Sequence, residues 1–209
     1  MVVFETNELR SVLILVEEKH VLRRKVLAQR ENLSLDEQLR LSQVVTQNLS
    51  QVLAYKHSSA TMSYNSFRGE VHTKGINQQL LRKNNQLFLP VIPEGSDEIT
   101  VSLFLPSDKL TRGKFNVPEP KIVRIAPPEQ IDLVLVPGVV FDEEGYRIGF
   151  GKGYYDRFLP KLSCPRIGLC YEFQVIEEVP HAPHDQRLDI LVTEKRIMYV
   201  NDSLRGFQS

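Results

Sequence analysis

After residue 60 the chain is punctuated by short apolar runs at 60–64, 87–92, 99–105, 133–136, 166–170 and 190–192, set apart by turn-forming or charged stretches. Runs of this length are too short for core helices and suit buried strands. Several intervening stretches, notably 73–82 and 154–162, carry a helical pattern instead. Strands joined through helices pair in parallel, because a parallel pair needs a long crossover and a helix is a compact way to make one. The sequence therefore predicts an α/β fold, a single three-layer α/β/α domain over residues 1–209 with a mainly parallel central sheet. Residues 6–54 predict two N-terminal helices. In the first, Leu9, Val12, Leu13, Val16 and Leu22 follow a helical period. Ser34-Leu35-Asp36-Glu37 then has capping-box spacing, and Leu39, Val44, Val45, Leu49 and Val52 make a second apolar face. Pro118, Pro120, Pro127 and Pro128 mark 117–128 as an extended loop.

The 26 Lys and Arg residues cancel the 26 Asp and Glu residues, so any anion must be held at a local site. Coating of nucleic acid by a global field is disfavoured. The apolar run 12–16 stops at Glu17-Glu18-Lys19, too short to cross a bilayer. No basic segment followed by a long apolar run opens the chain, so a cytoplasmic protein with no membrane partner is expected. Cys164 and Cys170 fit neither a disulfide framework nor a usual zinc spacing and are expected as reduced thiols.

The chemistry is concentrated between residues 133 and 157. A buried strand ends at Pro137-Gly138, and glycines at 149, 151 and 153 open into a helix. Alternating glycines let successive backbone N–H groups aim at one centre without side-chain obstruction. Lys152 adds a full charge, the helix N-terminus a partial one, and Arg147 a planar fork. Together they predict an anion cradle suited to a polyphosphate. Neither the Walker loop nor the dinucleotide fingerprint fits, since Gly153 follows Lys152 and Tyr154 stands where a third spaced glycine would be. Asp156 lies one turn into the helix, where it either complements the dipole or meets phosphates through Mg²⁺.

Three further segments carry candidates. Residues 62–73 read as a strand end and loop before a helix, with Glu70 either at a ligand or a solvated acid. Lys19 and Arg23 are four residues apart on one helical face, within reach of one anion. In 180–189, His181, His184 and Asp185 lack the rigid spacing of a zinc site, and Asp189 at a strand start is the better-placed residue.

The stretch from Phe141-Asp142 to Gly145, followed by Gly149-Phe150-Gly151-Lys152-Gly153-Tyr154-Tyr155-Asp156-Arg157, resembles the signature of the 5-formyltetrahydrofolate cyclo-ligases, also called methenyltetrahydrofolate synthetases. Lys19-x-x-Leu22-Arg23, Gly69-Glu70-Val71-x-Thr73, Asn116-Val117-Pro118-Glu119-Pro120 and His184-Asp185-x-x-Leu188-Asp189 resemble further family segments in the family's order. The resemblance implies ATP-dependent cyclisation of 5-formyltetrahydrofolate to 5,10-methenyltetrahydrofolate, with Mg²⁺ required and a folate as the small-molecule partner. It implies ATP contacts from Lys19, Arg23, Arg147, Ile148, Gly149, Phe150, Gly151, Lys152, Gly153, Tyr154 and Tyr155, with Lys152 and Arg147 neutralising charge in the reaction. Asn65, Glu70 and Tyr154 would contact the folate, and Asp156 and Asp189 would serve Mg²⁺. Phe150 stands where many members carry Arg, and Phe115 where some carry Trp. A monomer is expected, and the competing reading is a non-catalytic nucleotide-binding module on the same fold.

Overall fold

The computed structural model describes residues 2–206, with side chains from Arg10 onward, so the Leu9 side chain lies outside the described residues. The chain opens with helices α1 (Val2–Glu31), α2 (Leu35–Leu49) and α3 (Leu53–His57), then β1 (Ala60–Met62), α4 (Lys74–Arg82), β2 (Gln86–Val91) and β3 (Thr100–Phe104). A hairpin of β4 (Leu110–Arg112) and β5 (Pro118–Pro120) precedes β6 (Leu133–Val136), β7 (Val140–Asp142) and β8 (Arg147–Ile148). Helix α5 (Tyr154–Phe158), β9 (Arg166–Leu169), β10 (Val175–Ile176), β11 (Ile190–Val192) and β12 (Ile197–Tyr199) complete the order.

Seven strands form the central sheet in the order β12-β11-β9-β6-β1-β2-β3. The five inner strands run parallel, while β12 and β3 close the two edges antiparallel. Because side chains alternate across a strand, β6 sends Leu133 and Leu135 to one face and Val134 and Val136 to the other. The first face packs on Val45 and Leu49 of α2 and on Ile76 and Leu80 of α4. The second is covered by Phe158 of α5, by Leu159 and Leu162 just beyond it, and by Phe141 of β7. This is the expected α/β architecture with both faces of a mainly parallel sheet covered.

Several local expectations need adjustment. Ser34 does cap α2, its hydroxyl accepting from the Glu37 amide at 3.2 Å. The second apolar face is broken after Leu49, however, and α3 forms separately. Val12, Leu13, Ile14 and Val16 keep the helical period of α1, yet each is more than half exposed. The later part of α1 packs through Val26 against Val139, Val140 and Ile148, which belong to or flank a small second sheet, β10-β7-β8. Helix α5 has five residues rather than the longer run expected, so its dipole is slight. Pro118–Pro120, inside the expected extended loop, pairs with β4.

From β1 the chain steps to β2 and β3 on one side, then returns to place β6 on the other. The β1–β6 neighbourhood is therefore where strand order reverses, and the crevice beyond its C-terminal ends is where open α/β sheets hold ligands.

Candidate active site

The loop after β1 forms one wall of that crevice. Arg68 (φ 47°) and Gly69 (φ 73°) both adopt left-handed backbone, turning the chain so that the Glu70 amide bonds Phe67 O at 3.1 Å. Its carboxylate in turn accepts from the Phe67 amide at 3.0 Å. A side chain at Gly69 would sit 3.3 Å from Cγ of Arg30, so glycine also permits the close approach of α1. Glu70 is buried, and burial pushes its carboxyl up to about 7 against the pull of Arg30 and the Phe67 amide. It is not the solvated loop acid that the sequence left open. Asn65 donates to Pro118 O at 2.8 Å, tying the loop to β5.

The glycine loop forms the facing wall. Gly151 (φ 91°) and Gly153 (φ 65°) take the left-handed conformations that the alternating glycines were expected to allow. Arg23 on α1 clamps this loop, Nε donating to Gly149 O at 2.7 Å and the guanidinium lying against Gly151. Burial lowers the Arg23 pKa. Lys152 is exposed and makes no hydrogen bond or ion pair among the described residues. Ile148 is buried and contributes only backbone to the loop. Phe150 is exposed, its ring edge-on to Phe67 at 6.2 Å, with the Arg30 and Arg68 guanidiniums 5.6 and 5.9 Å from its centroid. Tyr154 packs near Phe115, and Lys114 lies 5.6 Å from both rings. Phe115 and Asn116, at φ 59° and 65°, hold this aromatic out from the β4–β5 turn.

Arg147 has a role other than a free phosphate fork. Its side chain is enclosed, Nη1 donating to Gln186 O at 2.7 Å and Nη2 to Asp156 Oδ1 at 3.0 Å. The Gln186 amide also reaches Asp156 Oδ1, at 3.3 Å. Arg147 thus anchors Asp156 to the 181–189 loop; burial lowers its pKa and Asp156 pulls it back up. In the same loop Asp185 receives the Lys19 ammonium and the Ala182 amide, the latter at 2.7 Å. Burial alone would raise the Asp185 carboxyl, but these two donors outweigh it and hold it below its ordinary value.

Lys19, Arg23, Arg147, the 149–155 loop and Asp156 are therefore brought together, with Glu70 and Tyr155 close enough to feel each other's charge. Asp189 is not brought to this group. Its carboxylate accepts from the Arg166 amide at 2.8 Å, at the N-terminal ends of β9 and β11 and so on the opposite edge of the parallel strands. Two residues of the cleft escape the sequence reading. Asp185, four positions before Asp189, is the carboxylate actually held beside Arg147, and its partner Lys19 is 166 residues away. Arg30 is enclosed against Gly69, Gly138 and the Phe150 ring, and helical spacing could have found it: Lys19, Arg23 and Arg30 recur at four and seven residues along one face of α1.

Among the described residues no three His, Cys, Asp or Glu side chains form a metal cage. Two half-buried carboxylates, Asp156 and Asp185, instead fit an ion such as Mg²⁺, which takes one or two protein oxygens and shares the rest with water and phosphates. Of the four orphaned buried side-chain atoms among the described residues, Arg30 Nε and Nη2 and the Tyr155 hydroxyl fit a polar ligand on the other side of the loop, and Asn77 Oδ1 is the fourth.

The sequence profile of the 5-formyltetrahydrofolate cyclo-ligase family matches residues 15–194. The 5-formyltetrahydrofolate cyclo-ligase of Haemophilus influenzae is 33% identical over 170 residues, covering 78% of this chain and 91% of that protein. The NMR structure of Aquifex aeolicus 5,10-methenyltetrahydrofolate synthetase superposes with a TM-score of 0.77 at 40% identity, covering 91% of this chain and 95% of the other. The 5,10-methenyltetrahydrofolate synthetase from Mycoplasma pneumoniae gives 0.69 at 29% identity, covering 84% and 98%. With the family profile matched over residues 15–194 and a relative 33% identical over most of both lengths, the chain belongs to the 5-formyltetrahydrofolate cyclo-ligase family.

Proposed function

We propose that this protein is a cyclo-ligase that converts 5-formyltetrahydrofolate to 5,10-methenyltetrahydrofolate, using ATP and Mg²⁺ and releasing ADP and phosphate. The observation that carries the reading is one loop with two neighbours: the glycine loop, clamped by Arg23, runs on into Asp156, held by Arg147, and into Tyr155, which feels the buried Glu70 carboxylate. A triphosphate on the loop would then have its terminal group directed toward a folate held beside Glu70, Asn65 and Tyr154.

The N-formyl group is a poor electrophile, because the nitrogen lone pair is delocalised into its carbonyl. Attack of the formyl oxygen on the γ-phosphorus forms a C–O–P linkage, breaks the β–γ bond and releases ADP. The carbon is then iminium-like. N10 attacks it and loses its proton, and the C–O bond breaks to expel phosphate and leave the five-membered amidinium ring. Mg²⁺, held by Asp156 and Asp185, would supply charge neutralisation for the phosphates. Lys152, unpaired and exposed on the loop, is free to follow the transferring phosphoryl group. Arg147 acts behind it by fixing Asp156, and Lys19 and Arg23 fix Asp185 and the loop. No protein nucleophile takes part; catalysis is positioning and electrostatics. The working form is proposed to be a cytoplasmic monomer, and no helix among the described residues is long and apolar enough to cross a membrane.

The test is a near-ultraviolet assay for the methenyl product, with ATP, Mg²⁺ and 5-formyltetrahydrofolate omitted in turn. Product should require all three. ATP binding without methenyl product under any condition would overturn the reading in favour of a nucleotide-binding module.

A further inference from the structure

Arg30 is fully buried, and its charge has no full set of partners. Nη1 donates to Gly138 O at 3.2 Å, but Nε and Nη2 are bonded to nothing among the described residues. Those two nitrogens form the side-on edge of the guanidinium, a pre-shaped pair of parallel donors. Glu70 is the nearest countercharge, and each group perturbs the other, yet the carboxylate does not hydrogen bond to the fork. The bond found on Glu70 is the one to Oε2 from the Phe67 amide. The Tyr155 hydroxyl, buried and also without a partner, feels the same carboxylate. Unpaired buried donors are costly, and a charged one more so, which makes three orphaned polar atoms around one acid a site awaiting a ligand.

The charges decide what kind of ligand fits. An anion on the Arg30 fork would lie against Glu70, and a cation on Glu70 would lie against Arg30. A neutral edge with an acceptor beside a donor satisfies both. The fused pyrimidinone of a reduced pterin has such an edge: a ring carbonyl, then a ring N–H and an exocyclic amine. The exposed Phe150 ring near Arg30 offers a flat face beside it.

We propose that Arg30 is a specificity-determining residue that, with Glu70, reads this edge: the Arg30 fork donates to the 4-oxo group while Glu70 accepts from the ring N–H and the amine. The proposal rests on the cyclo-ligase reading above. It makes the reading of the 4-oxo group the property of a residue on α1, remote in sequence from the glycine loop, while Glu70 reads the ring N–H that a 4-amino pteridine also lacks. An amino group in place of the oxo group would set donor against donor.

The experiment compares direct binding of 5-formyltetrahydrofolate and its 4-amino analogue to the wild-type protein, Arg30→Met and Arg30→Lys, with a thermal melt to confirm folding. The wild type should prefer the oxo compound by about tenfold or more, since a site built around a hydrogen bond rejects the mismatched analogue strongly. Arg30→Met should shrink that preference at least about threefold, chiefly by weakening the oxo compound, with the part imposed by Glu70 remaining, and raise the folate KM while leaving the ATP KM within about twofold. Arg30→Lys keeps the charge but not the fork, and should shrink the preference likewise; it decides the matter if Arg30→Met does not fold. A wild type without preference, or variants that retain it undiminished, would overturn the proposal while leaving turnover in place. A wild type that binds neither pteridine would overturn the cyclo-ligase reading together with it.

Discussion

Three carboxylates that look alike in sequence have different work in the fold. Asp156 is held by Arg147 and the Gln186 amide, Asp185 by Lys19 and the Ala182 amide, and Asp189 by the Arg166 amide. Asp156→Asn and Asp185→Asn are expected to raise the Mg²⁺ concentration for half-maximal activity by about tenfold or more, as loss of one charged ligand would. Asp189→Asn should leave the Mg²⁺ titration unchanged and lower the melting temperature instead. Lys152→Ala should cut kcat by about 10²–10³-fold, the usual loss of one preorganised charge-stabilising donor. Because Lys152 has no partner among the described residues, the unfolding free energy of this variant should move by less than about 0.5 kcal/mol. Glu70 gives a pH signature. Its folded pKa is raised from 4.5 to about 7, so between those values the folded state holds the proton that the unfolded state releases. Stability should therefore fall as pH rises through this window, by up to about 3 kcal/mol, and be level on either side. In denaturant titrations Glu70→Gln should flatten that part of the profile; a wild-type curve that rises there would refute the assignment.

At the scale of elements, glycine 145 shows how the cleft is assembled. It has φ 88°, and a side chain there would lie 2.4 Å from Leu188 O, where Leu188 N also bonds Gly145 O at 2.9 Å. The turn between β7 and β8 thereby docks on the loop that carries Asp185. Gly145→Ala should destabilise the protein by about 2 kcal/mol or more and weaken Mg²⁺ dependence with it, both readable from one melt series at increasing Mg²⁺. This kind of contact is what the sequence leaves unread. The six apolar runs after residue 60 each became a sheet strand, because a fully buried strand needs little beyond a short apolar run. The small strands β7, β8 and β10 have two or three residues each, too few to show a period, and their pairing is set by tertiary packing. The glycine loop was legible because its composition has few other uses. The choice between Asp185 and Asp189 was not, since both sit in one short segment and only the direction of the parallel strands separates the cleft edge from its opposite. Likewise the period of α1 announced a helix but not how much of it would be covered.

For the molecule as a whole, ligand and fold are linked through the reversal of strand order between β1 and β6. Its walls come from the β1 loop, the glycine loop, the 181–189 loop and α1, so a ligand bound there bridges segments from across the chain. MgATP at about 100 times its Kd should stabilise the protein by about 2.7 kcal/mol, or roughly 5–10 °C in melting temperature. ATP without Mg²⁺ should give clearly less, and equal shifts would argue against a carboxylate-bound ion.

Helix α1 comes earlier in sequence than the three backbone and side-chain groups it clasps around the active centre. Arg30 reaches Gly138, Arg23 reaches Gly149 and Lys19 reaches Asp185, at separations of 108, 126 and 166 residues. A nascent chain can lay down β1 to β6 before any of these three partners has been made. The glycine loop and the 181–189 loop can be clasped by α1 only once synthesis has passed Asp185, so the scaffold precedes the active centre in time.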